Sequence, residues 1–289
     1  MYDLQDETRS LMKKYQITAS KKLGQNFLIR QEVVDQIIEA AQLTKEDLVI
    51  EIGPGLGTLT SRLLERSGKV IAVELDDRML QILQDRFGEK ENFELIHEDI
   101  LKVPLQEKIQ QEKEKGSYKQ VKIVANLPYY ITTPIIMKLL EERLEVEHIT
   151  VMVQKEVAQR LVANPGEKLA GAITYAVHYY TEPKSVMVVP RESFLPAPEV
   201  DSEVIQLKIR KIPPIQLEKE EDFFSIIKAS FMQRRKTLKN GLIHSQLFDK
   251  EEMEDLFQMC HLAENCRGEN LTMEQFAQIA NYYTKKRKK

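Results

Sequence analysis

An alternation of short apolar runs and amphipathic segments, between about residues 44 and 211, constrains the fold more than any other feature of the sequence. Five apolar runs of strand length lie there, and segments with helical spacing separate most of them: DLVIEIG, KVIAVEL, FELIHEDI, VKIVAN and HITVMVQ. The helical segment GTLTSRLLERSG, for example, places Leu59, Leu63 and Leu64 on one face and ends at Gly68. Repeated β-α units form a mostly parallel sheet covered by helices on both faces, so the predicted fold class is α/β.

Two later runs, SVMVVP and SEVIQLKIRK, have only a proline-rich connection between them. In the second run Ile205, Leu207 and Ile209 alternate with polar residues, which is typical of a strand with one wetter face. These runs predict an antiparallel pair at the edge of the sheet, which brings the total to seven strands. The segment 106–120 is polar and mixed in charge, and it predicts a solvated surface insertion.

A second domain is predicted at the C-terminus. Beyond a linker at 212–221, the segments have helical spacing and no strand pattern, so a small all-helical domain at 212–289 follows an α/β domain at 1–211. No apolar run approaches the roughly 18 residues of a membrane span, and the charged N-terminus lacks a signal-peptide core. Cys260 and Cys266 provide no disulfide framework and no regular set of metal ligands. The prediction is a cytoplasmic protein with no metal and no membrane contact.

The charge of the chain is unevenly distributed. A net charge of −3 argues against a uniformly basic nucleic-acid-binding protein, yet Ser225 to Phe248 contains five basic residues and no acidic one. A local basic patch can follow a phosphate backbone without making the whole surface basic. The residues predicted to contact nucleic-acid phosphates are Lys228, Arg234, Arg235, Lys236 and Lys239. The alternative for this stretch is a solvated helix face that binds no nucleic acid. For the terminal KKRKK, the alternative is a disordered tail without a ligand.

A glycine-rich loop follows the first strand in EIGPGLGTLT. It places Gly53, Gly55 and Gly57 at the carboxyl edge of the predicted sheet, where open α/β folds bind ligands. A tight turn that needs positive φ would explain one glycine more readily than three, so we expect a close backbone approach to a ligand. The spacing is G-x-G-x-G, whereas dinucleotide-binding loops have G-x-G-x-x-G.

Two acidic residues follow the next two strands. Glu74 lies about twenty residues beyond the loop, where an acid can accept hydrogen bonds from both ribose hydroxyls. Asp99 follows the third strand, and by itself it would suit a helix cap. Two acids at successive strand ends beside a glycine loop, with few basic residues nearby, predict a site for a nucleoside that lacks a diphosphate.

The fourth strand ends in groups that a protein core does not favour. Asn126, Pro128 and two tyrosines follow its apolar residues, and Thr133-Pro134 then predicts the start of a helix. Amide and aromatic groups at a strand end suit a flipped or unpaired nucleobase, which needs hydrogen bonds at its edge and stacking on its faces. We therefore interpret this turn as a base-binding element.

With these motifs, the sequence resembles the ribosomal RNA adenine N6-dimethyltransferases, S-adenosylmethionine enzymes of the Rossmann-like class. Motifs along nearly the whole chain carry the resemblance: KKLGQNFL (Lys21–Leu28), EIGPGLGTLT, Glu74, EDIL with Asp99, NLPY (Asn126–Tyr129), FLPAPEVDSEV (Phe194–Val204), FMQRRKTLKNGL (Phe231–Leu242) and RGENLTMEQFAQIA (Arg267–Ala280). The resemblance implies a Rossmann-like catalytic domain, to whose site residues 1–30 contribute, and a helical rRNA-binding domain. The residues it implies for S-adenosylmethionine binding are Asn26, Leu28, Gly53, Gly55, Glu74, Asp99 and Asn126, with Glu74 on the ribose and Asp99 on the adenine.

The same resemblance gives roles to the residues around the turn. Asn126 and the carbonyl of Leu127 would accept the N6 hydrogens of adenine, and Pro128 would hold that carbonyl in place. Tyr129 would stack on one face of the base and Phe194 on the other, although core packing is an alternative for either ring. Tyr130 is predicted to lie in the core.

Within this family the sequence most resembles the enzyme that dimethylates two adjacent adenosines near the 3′ end of 16S rRNA. The predicted partner is 16S rRNA within a precursor of the 30S subunit, and the predicted state is a monomer. Three alternatives stay open: a 23S rRNA methyltransferase of the macrolide-resistance type, an assembly factor on a methyltransferase scaffold, and a nicotinamide-dependent oxidoreductase. The G-x-G-x-G spacing and the NLPY motif weigh against the oxidoreductase.

Overall fold

A seven-stranded sheet is the central element of the structure, a computed structural model that describes residues 3–20, 23–116, 118–233 and 236–287. The strands along the chain are β1 (Phe27–Leu28), β2 (Asp47–Ile52), β3 (Lys69–Glu74), β4 (Phe93–His97), β5 (Gln120–Asn126), β6 (His148–Gln154), β7 (Thr181–Val189), β8 (Phe194–Leu195) and β9 (Ser202–Ile209). Their order across the sheet is β4-β3-β2-β5-β6-β9-β7, while β1 and β8 pair with each other.

Most of the sheet is parallel. The strands β4, β3, β2, β5 and β6 pair in parallel, and β9 pairs antiparallel with β6. Strand β2 is buried along its whole length, as a central strand covered on both faces must be. The α/β class and the mostly parallel sheet predicted from the sequence are confirmed.

The last two predicted strands are neighbours at one edge of the sheet, where the edge pair was predicted. Strand β9 lies between β6 and β7, so β7 is the outermost strand on that side. The first four residues of β9 are buried, so the wetter face predicted from the alternation is confined to its C-terminal half. In that half the Gln206 side chain donates a hydrogen bond to the Ala40 carbonyl (2.5 Å).

Twelve helices are present among the described residues. They are α1 (Leu4–Lys14), α2 (Gln31–Ala40), α3 (Thr58–Arg66), α4 (Asp77–Phe87), α5 (Leu105–Lys115), α6 (Thr132–Glu141), α7 (Lys155–Val162), α8 (Ala172–Tyr180), α9 (Glu220–Phe231), α10 (Leu238–His244), α11 (Glu252–Met259) and α12 (Met273–Arg287). Helix α6 begins at Thr132, before the predicted cap at Thr133, and the Thr132 hydroxyl donates to the Pro128 carbonyl (3.1 Å). None of these helices is long and apolar enough to cross a membrane.

Helix α5 replaces the predicted surface insertion at 106–120. Its residues Leu105, Ile109 and Glu112 are buried, so the segment is a covering helix of the β-α repeat. The Glu112 carboxylate receives Lys69 Nζ at 2.6 Å, with Lys108 and Lys115 at 3.3 and 3.2 Å. The polar composition that suggested solvent exposure therefore includes a group of ion pairs that fixes the helix.

The chain divides into two compact units, residues 1–158 with 183–209 and residues 159–182 with 210–289. The second unit has a hydrophobic core of its own, in which Tyr175 is fully buried and its hydroxyl lies 2.6 Å from the Leu271 carbonyl oxygen. This division differs from the predicted boundary after residue 211, because 159–182 belongs to the helical unit. Strand-to-helix alternation could not reveal this, since α8 lies between two strands in the sequence.

We expect Glu112→Gln to lower the free energy of unfolding by about 2 kcal/mol at pH 7, because lysine ammonium groups lose a buried carboxylate partner. Burial raises the pKa of Glu112, but the hydrogen bonds from Lys69, Lys115 and Lys108 outweigh it and bring the pKa to about 2, against an ordinary 4.5. The folded state therefore binds this proton less readily than the unfolded chain. Its stabilisation is complete above about pH 4.5 and disappears as the pH falls through about 2.

Urea unfolding across this pH range measures the effect. The control is Glu114→Gln, which removes an exposed carboxylate from the same helix and is expected to change stability by less than about 0.5 kcal/mol. Equal losses in the two variants would contradict a structural role for the ion pairs.

Candidate active site

A cavity of about 300 Å³ lies where the carboxyl ends of the parallel strands meet. Ile52 of β2 pairs with Val73 of β3 and with Ala125 of β5, so the residues that follow these three lie at the same level. The cavity is lined by the segments 23–28, 51–56, 58–59, 73–75, 98–100 and 126–131 and by Ile135. The predicted site residues that the structure brings together here are Asn26, Leu28, Gly53, Gly55, Glu74, Asp99, Asn126, Leu127, Pro128 and Tyr129.

The three glycines of the loop all have positive φ: 65° at Gly53, 56° at Gly55 and 82° at Gly57. The expectation that turn geometry would account for only one of them is therefore wrong. At Gly57 a Cβ would also lie 2.4 Å from a ring carbon of Phe87, so its role is packing. At Gly53 the nearest atom to a Cβ would be 3.9 Å away, which leaves the backbone open beside the cavity.

Glu74 closes the loop against β3. Its Oε2 accepts a hydrogen bond from the Gly55 amide (3.1 Å), and its Oε1 accepts from the amides of Leu75 and Asp76 (2.8 Å each). The side chain is buried, and burial raises its pKa even though the three backbone hydrogen bonds oppose this. Glu74 is therefore held in one orientation, with oxygen lone pairs still available to a ligand.

A second buried acid, Glu51, lines the cavity, and sequence reasoning missed it. Its carboxyl accepts a hydrogen bond from the Thr60 hydroxyl at 2.6 Å. Burial raises the pKa of Glu51 and the nearby Glu74 adds to this effect, whereas the Thr60 hydrogen bond lowers the pKa. Together these effects bring the pKa of Glu51 to about 8. At neutral pH this carboxyl is mainly protonated. The available signal was an acid within the otherwise apolar end of β2.

Asp99 lies half-buried at the next strand end. Its Oδ1 accepts a hydrogen bond from the Leu101 amide at 3.0 Å, which caps a turn and not a helix, since α5 begins only at Leu105. It also lines the cavity, so capping and ligand contact are compatible.

The N-terminal segment forms one side of the cavity. Strand β1 pairs with β8, with Phe27 opposite Leu195 and Leu28 opposite Phe194. The Gln25 amide donates to Asp76 Oδ2 at 2.7 Å, which links this segment to the start of α4. Leu28 is 3% exposed and therefore contributes an apolar wall.

The turn after β5 is fixed by hydrogen bonds of its backbone and side chains. The Leu127 amide donates to the Met152 carbonyl (3.1 Å), and the Pro128 carbonyl accepts from the Ile131 amide (3.2 Å). The Asn126 Nδ2 group is 3.4 Å from the Asn26 carbonyl, so the amide is oriented with its Oδ1 as the remaining acceptor. Among the described residues, no donor occupies the Leu127 carbonyl oxygen.

Tyr129 is held at the far end of its ring. The hydroxyl groups of Tyr129 and Ser202 are 2.5 Å apart, and Ser202 begins β9 within the FLPAPEVDSEV motif. Burial raises the pKa of Tyr129 more than this hydrogen bond lowers it. Tyr129 therefore presents a neutral, tethered ring to the cavity that Asn126 also lines.

Two aromatic residues are not where the sequence placed them. Phe194 is 2% exposed and belongs to the hydrophobic core, since it starts β8 and pairs with Leu28. Phe194 does not line the cavity. The alternative of core packing is therefore the correct one, and the prediction that Phe194 stacks on the base was wrong. Tyr130, expected in the core, is 54% exposed and lines the cavity. Sequence alternation fails at both positions, because Phe194 lies in a strand of only two residues and Tyr130 lies in a turn.

The predicted RNA-binding residues lie in the second unit. Lys228 is exposed on α9, Lys236 is exposed before α10, and Lys239 is half-buried in α10. Arg234 and Arg235 lie outside the described residues. No group of three or more His, Cys, Asp or Glu in the described ranges could hold a metal ion.

The lining of the cavity fits a nucleoside sulfonium better than a dinucleotide. None of its described residues is a lysine or arginine, the groups that neutralise a pyrophosphate. The carboxyl groups of Glu74 and Asp99 suit ribose hydroxyls, an adenine amino group and positive charge. The open backbone at Gly53 leaves space for a ligand beside the loop.

The sequence matches the family described as ribosomal RNA adenine dimethylase over residues 17–285. The chain belongs to this family. The predicted family is thereby confirmed, as is its cofactor, S-adenosylmethionine. Ribosomal RNA small subunit methyltransferase A of Oceanobacillus iheyensis is 48% identical over 278 residues, which cover 96% of this chain and 94% of the relative. The protein of the same name from Bacillus pumilus is 47% identical, and the match covers 96% of each chain.

Solved structures of the family share the fold. A dimethyladenosine transferase from Plasmodium falciparum has a TM-score of 0.73 and 27% identity, covering 90% of this chain and 98% of its own. The 23S rRNA methyltransferase ErmE has a TM-score of 0.67 and 24% identity, covering 90% of this chain and all of its own. The second likeness shows a common fold, whereas the curated relatives favour the small-subunit function over the 23S alternative.

We expect Glu51→Gln to change how stability depends on pH. The folded pKa of about 8 exceeds the ordinary 4.5, so the native state keeps a proton that the unfolded chain releases. Wild-type stability therefore decreases as the pH rises from about 4.5 to 8, and the variant lacks this contribution. Relative to the wild type, Glu51→Gln should gain stability between pH 5 and pH 8.5.

Thermal unfolding of the protein without cofactor, in buffers across this range, measures the difference. Glu39→Gln removes a carboxylate from an exposed position on α2 and serves as the control. Parallel pH profiles for wild type and Glu51→Gln would exclude a protonated native carboxyl.

Proposed function

We propose that the chain uses S-adenosylmethionine to dimethylate N6 of two adjacent adenosines near the 3′ end of 16S rRNA, within a precursor of the 30S subunit. The observation that carries the proposal is the position of the Asn126 amide, which lines the same cavity as the glycine loop, Glu74 and Asp99. We further propose that the protein acts as a monomer in the cytoplasm. The names of the curated relatives support the small-subunit substrate.

The exocyclic amine of adenine is a weak nucleophile because its lone pair is delocalised into the ring. Asn126 Oδ1 and the Leu127 carbonyl oxygen are two acceptors on adjacent residues, and one can bind each N6 hydrogen. This draws the nitrogen toward tetrahedral geometry and localises its lone pair. Since Asn126 Nδ2 already points to the Asn26 carbonyl and the Leu127 amide is bonded to Met152, neither acceptor needs to reorganise during the reaction.

Pro128 contributes rigidity to this arrangement. Its ring fixes its own φ and keeps Leu127 extended. The Pro128 carbonyl is engaged by both Ile131 and Thr132, so the turn is tied to the start of α6. A displacement of the acceptors by about 1 Å would be costly, because the rate depends on near-attack geometry.

S-adenosylmethionine supplies a methyl group that is already activated as part of a sulfonium. The chain therefore has to position the amine and exclude water, and it needs no nucleophile of its own. Attack of the neutral amine on the methyl carbon gives an ammonium that is acidic, so it can release its proton to solvent without a dedicated base. Glu51 is unsuited to that role in any case, because its carboxyl is mainly protonated and bonded to Thr60.

The second methylation imposes a further geometric demand. After the first transfer N6 carries one hydrogen, so only one of the two acceptors can stay paired and the methyl group needs space. Tyr129 would keep the base in plane by stacking, since its hydroxyl is tethered to Ser202 on β9. With Phe194 in the core, this account assigns base stacking to Tyr129 alone.

The experiment that tests the function uses unmethylated small subunits, unmethylated large subunits and methyl-labelled cofactor in parallel. Mapping of the modified nucleotides should find two adjacent dimethyladenosines near the 3′ end of 16S rRNA. Label in 23S rRNA would favour the resistance-type alternative, and absence of label despite binding of the small subunit would favour an assembly factor.

We expect Asn126→Ala to lower kcat by about 10² to 10³, because one preorganised acceptor for the amine is lost. The affinity for S-adenosylhomocysteine should fall less in this variant than in Glu74→Ala, which removes the carboxylate that anchors the loop and, by our proposal, the ribose. Turnover assays and calorimetry on both variants measure this. Unchanged turnover in Asn126→Ala would refute the assigned role.

We expect charge reversal at Lys228, Lys236 and Lys239 to weaken binding to the small subunit and to reduce its dependence on salt, since phosphate contacts release counterions. Lys90→Glu is the control, because it reverses an exposed charge in the turn that follows α4. Binding is measured at several salt concentrations. If the salt dependence of binding equalled that of the control, these lysines would belong to a solvated surface that does not contact RNA.

A further inference from the structure

The large aromatic side chain of Tyr130 is exposed, although no contact described so far requires this. It is 54% exposed at the rim of the cavity, and its hydroxyl makes no hydrogen bond within the described part of the chain. The neighbouring Tyr129, in contrast, is tethered to Ser202. A partly exposed aromatic ring at the mouth of a cavity gains stability when a flat apolar surface covers it.

The surroundings of Tyr130 indicate which part of a ligand it would meet. Burial raises the pKa of its phenol, and the carboxylates of Asp99 and Glu74 are near enough to raise it further. Both acids line the cavity, and their carboxyl groups can accept hydrogen bonds from ribose hydroxyls and from an adenine amino group. Leu75, which also lines the cavity, is 47% exposed, so a second apolar side chain lies on the same rim.

The N-terminal segment supports the ring from behind. A Cβ at Gly24 would lie 3.4 Å from Cδ1 of Tyr130, an ordinary contact distance, and Gly24 has φ of 60°. The backbone at Gly24 is thus packed against this ring, while the nearby Asn26 carbonyl oxygen is 3.4 Å from the Asn126 amide nitrogen. Tyr130 lies between the N-terminal segment and the space that a ligand would fill.

We propose that Tyr130 is a cofactor-binding residue that covers the adenosine half of S-adenosylmethionine and of its product. The inference rests on the proposed function only for the identity of that ligand. A target RNA base is the other flat ligand of this enzyme, and the Asn126 amide and the tethered Tyr129 ring are fitted to it. Tyr130 instead packs against Gly24 and lines the cavity together with Asp99 and Glu74. The proximity of Tyr130 to Asp99 and Glu74 places it on the cofactor side.

Calorimetry with S-adenosylhomocysteine, in the absence of RNA, tests the proposal. Tyr130→Ala should bind about fivefold to tenfold more weakly than wild type, the usual worth of an aromatic stacking contact. Tyr130→Phe should bind within about twofold of wild type, because it keeps the ring. Tyr118→Ala is the matched control, since it removes a half-buried tyrosine two residues before β5, whose other end carries Asn126.

A fluorescence reporter gives an independent measurement, because the chain contains no tryptophan. In Tyr130→Trp the emission should be quenched or shifted on addition of S-adenosylhomocysteine, whereas in Tyr118→Trp it should not change. This variant also keeps the proposal testable if Tyr130→Ala fails to fold.

Three results would overturn the proposal. Wild-type affinity in Tyr130→Ala would show that the ring does not cover the cofactor, and so would a silent reporter in a Tyr130→Trp protein that binds S-adenosylhomocysteine normally. An increased KM for rRNA with unchanged S-adenosylhomocysteine affinity would assign the ring to the RNA. If wild type itself bound no S-adenosylhomocysteine, the cofactor assignment would fail together with the proposal, so the two failures are distinguishable.

Discussion

The parallel pairing of β2 with β3 on one side and β5 on the other is the constraint on which the site depends. Because Ile52 is opposite both Val73 and Ala125, the glycine loop, Glu74 and Asn126 begin at one level of one sheet edge. A shift of either pairing by one residue would move a carboxylate or an amide by about 3.3 Å along the strand and turn it to the other face. The burial of β2 along its whole length makes such a shift costly.

Hydrogen bonds then convert this level edge into a preorganised site. Glu74 is held by three backbone amides, Asn126 is oriented toward the Asn26 carbonyl, and the Tyr129 hydroxyl reaches Ser202. Burial keeps Glu51 mainly protonated, so one of the acids around the cavity adds little negative charge. The site thus combines fixed acceptors with limited charge, which suits the transfer of a methyl group from a cationic donor to a neutral amine.

The strands and most of the site were predictable because they depend on short-range pattern. Apolar runs located the parallel strands. The motif residues Gly53, Glu74, Asp99 and Asn126 lie at strand ends or within two residues of them, so strand position and family motifs together placed them. The errors concern side-chain direction and long-range packing. The two-residue strand that holds Phe194 and the turn that holds Tyr130 are too short to show a periodicity. Helix α5 was hidden because ion pairs as well as apolar residues bind it to the sheet.

A crystal structure of the protein with S-adenosylhomocysteine and an adenosine-containing oligonucleotide tests the central claim most directly, because it shows where the reacting amine is held. The account predicts that N6 lies within hydrogen-bonding distance of Asn126 Oδ1 and of the Leu127 carbonyl oxygen, beside the sulfur and with the base against Tyr129. An adenine bound elsewhere, or an Asn126 amide turned away from the base, would contradict it.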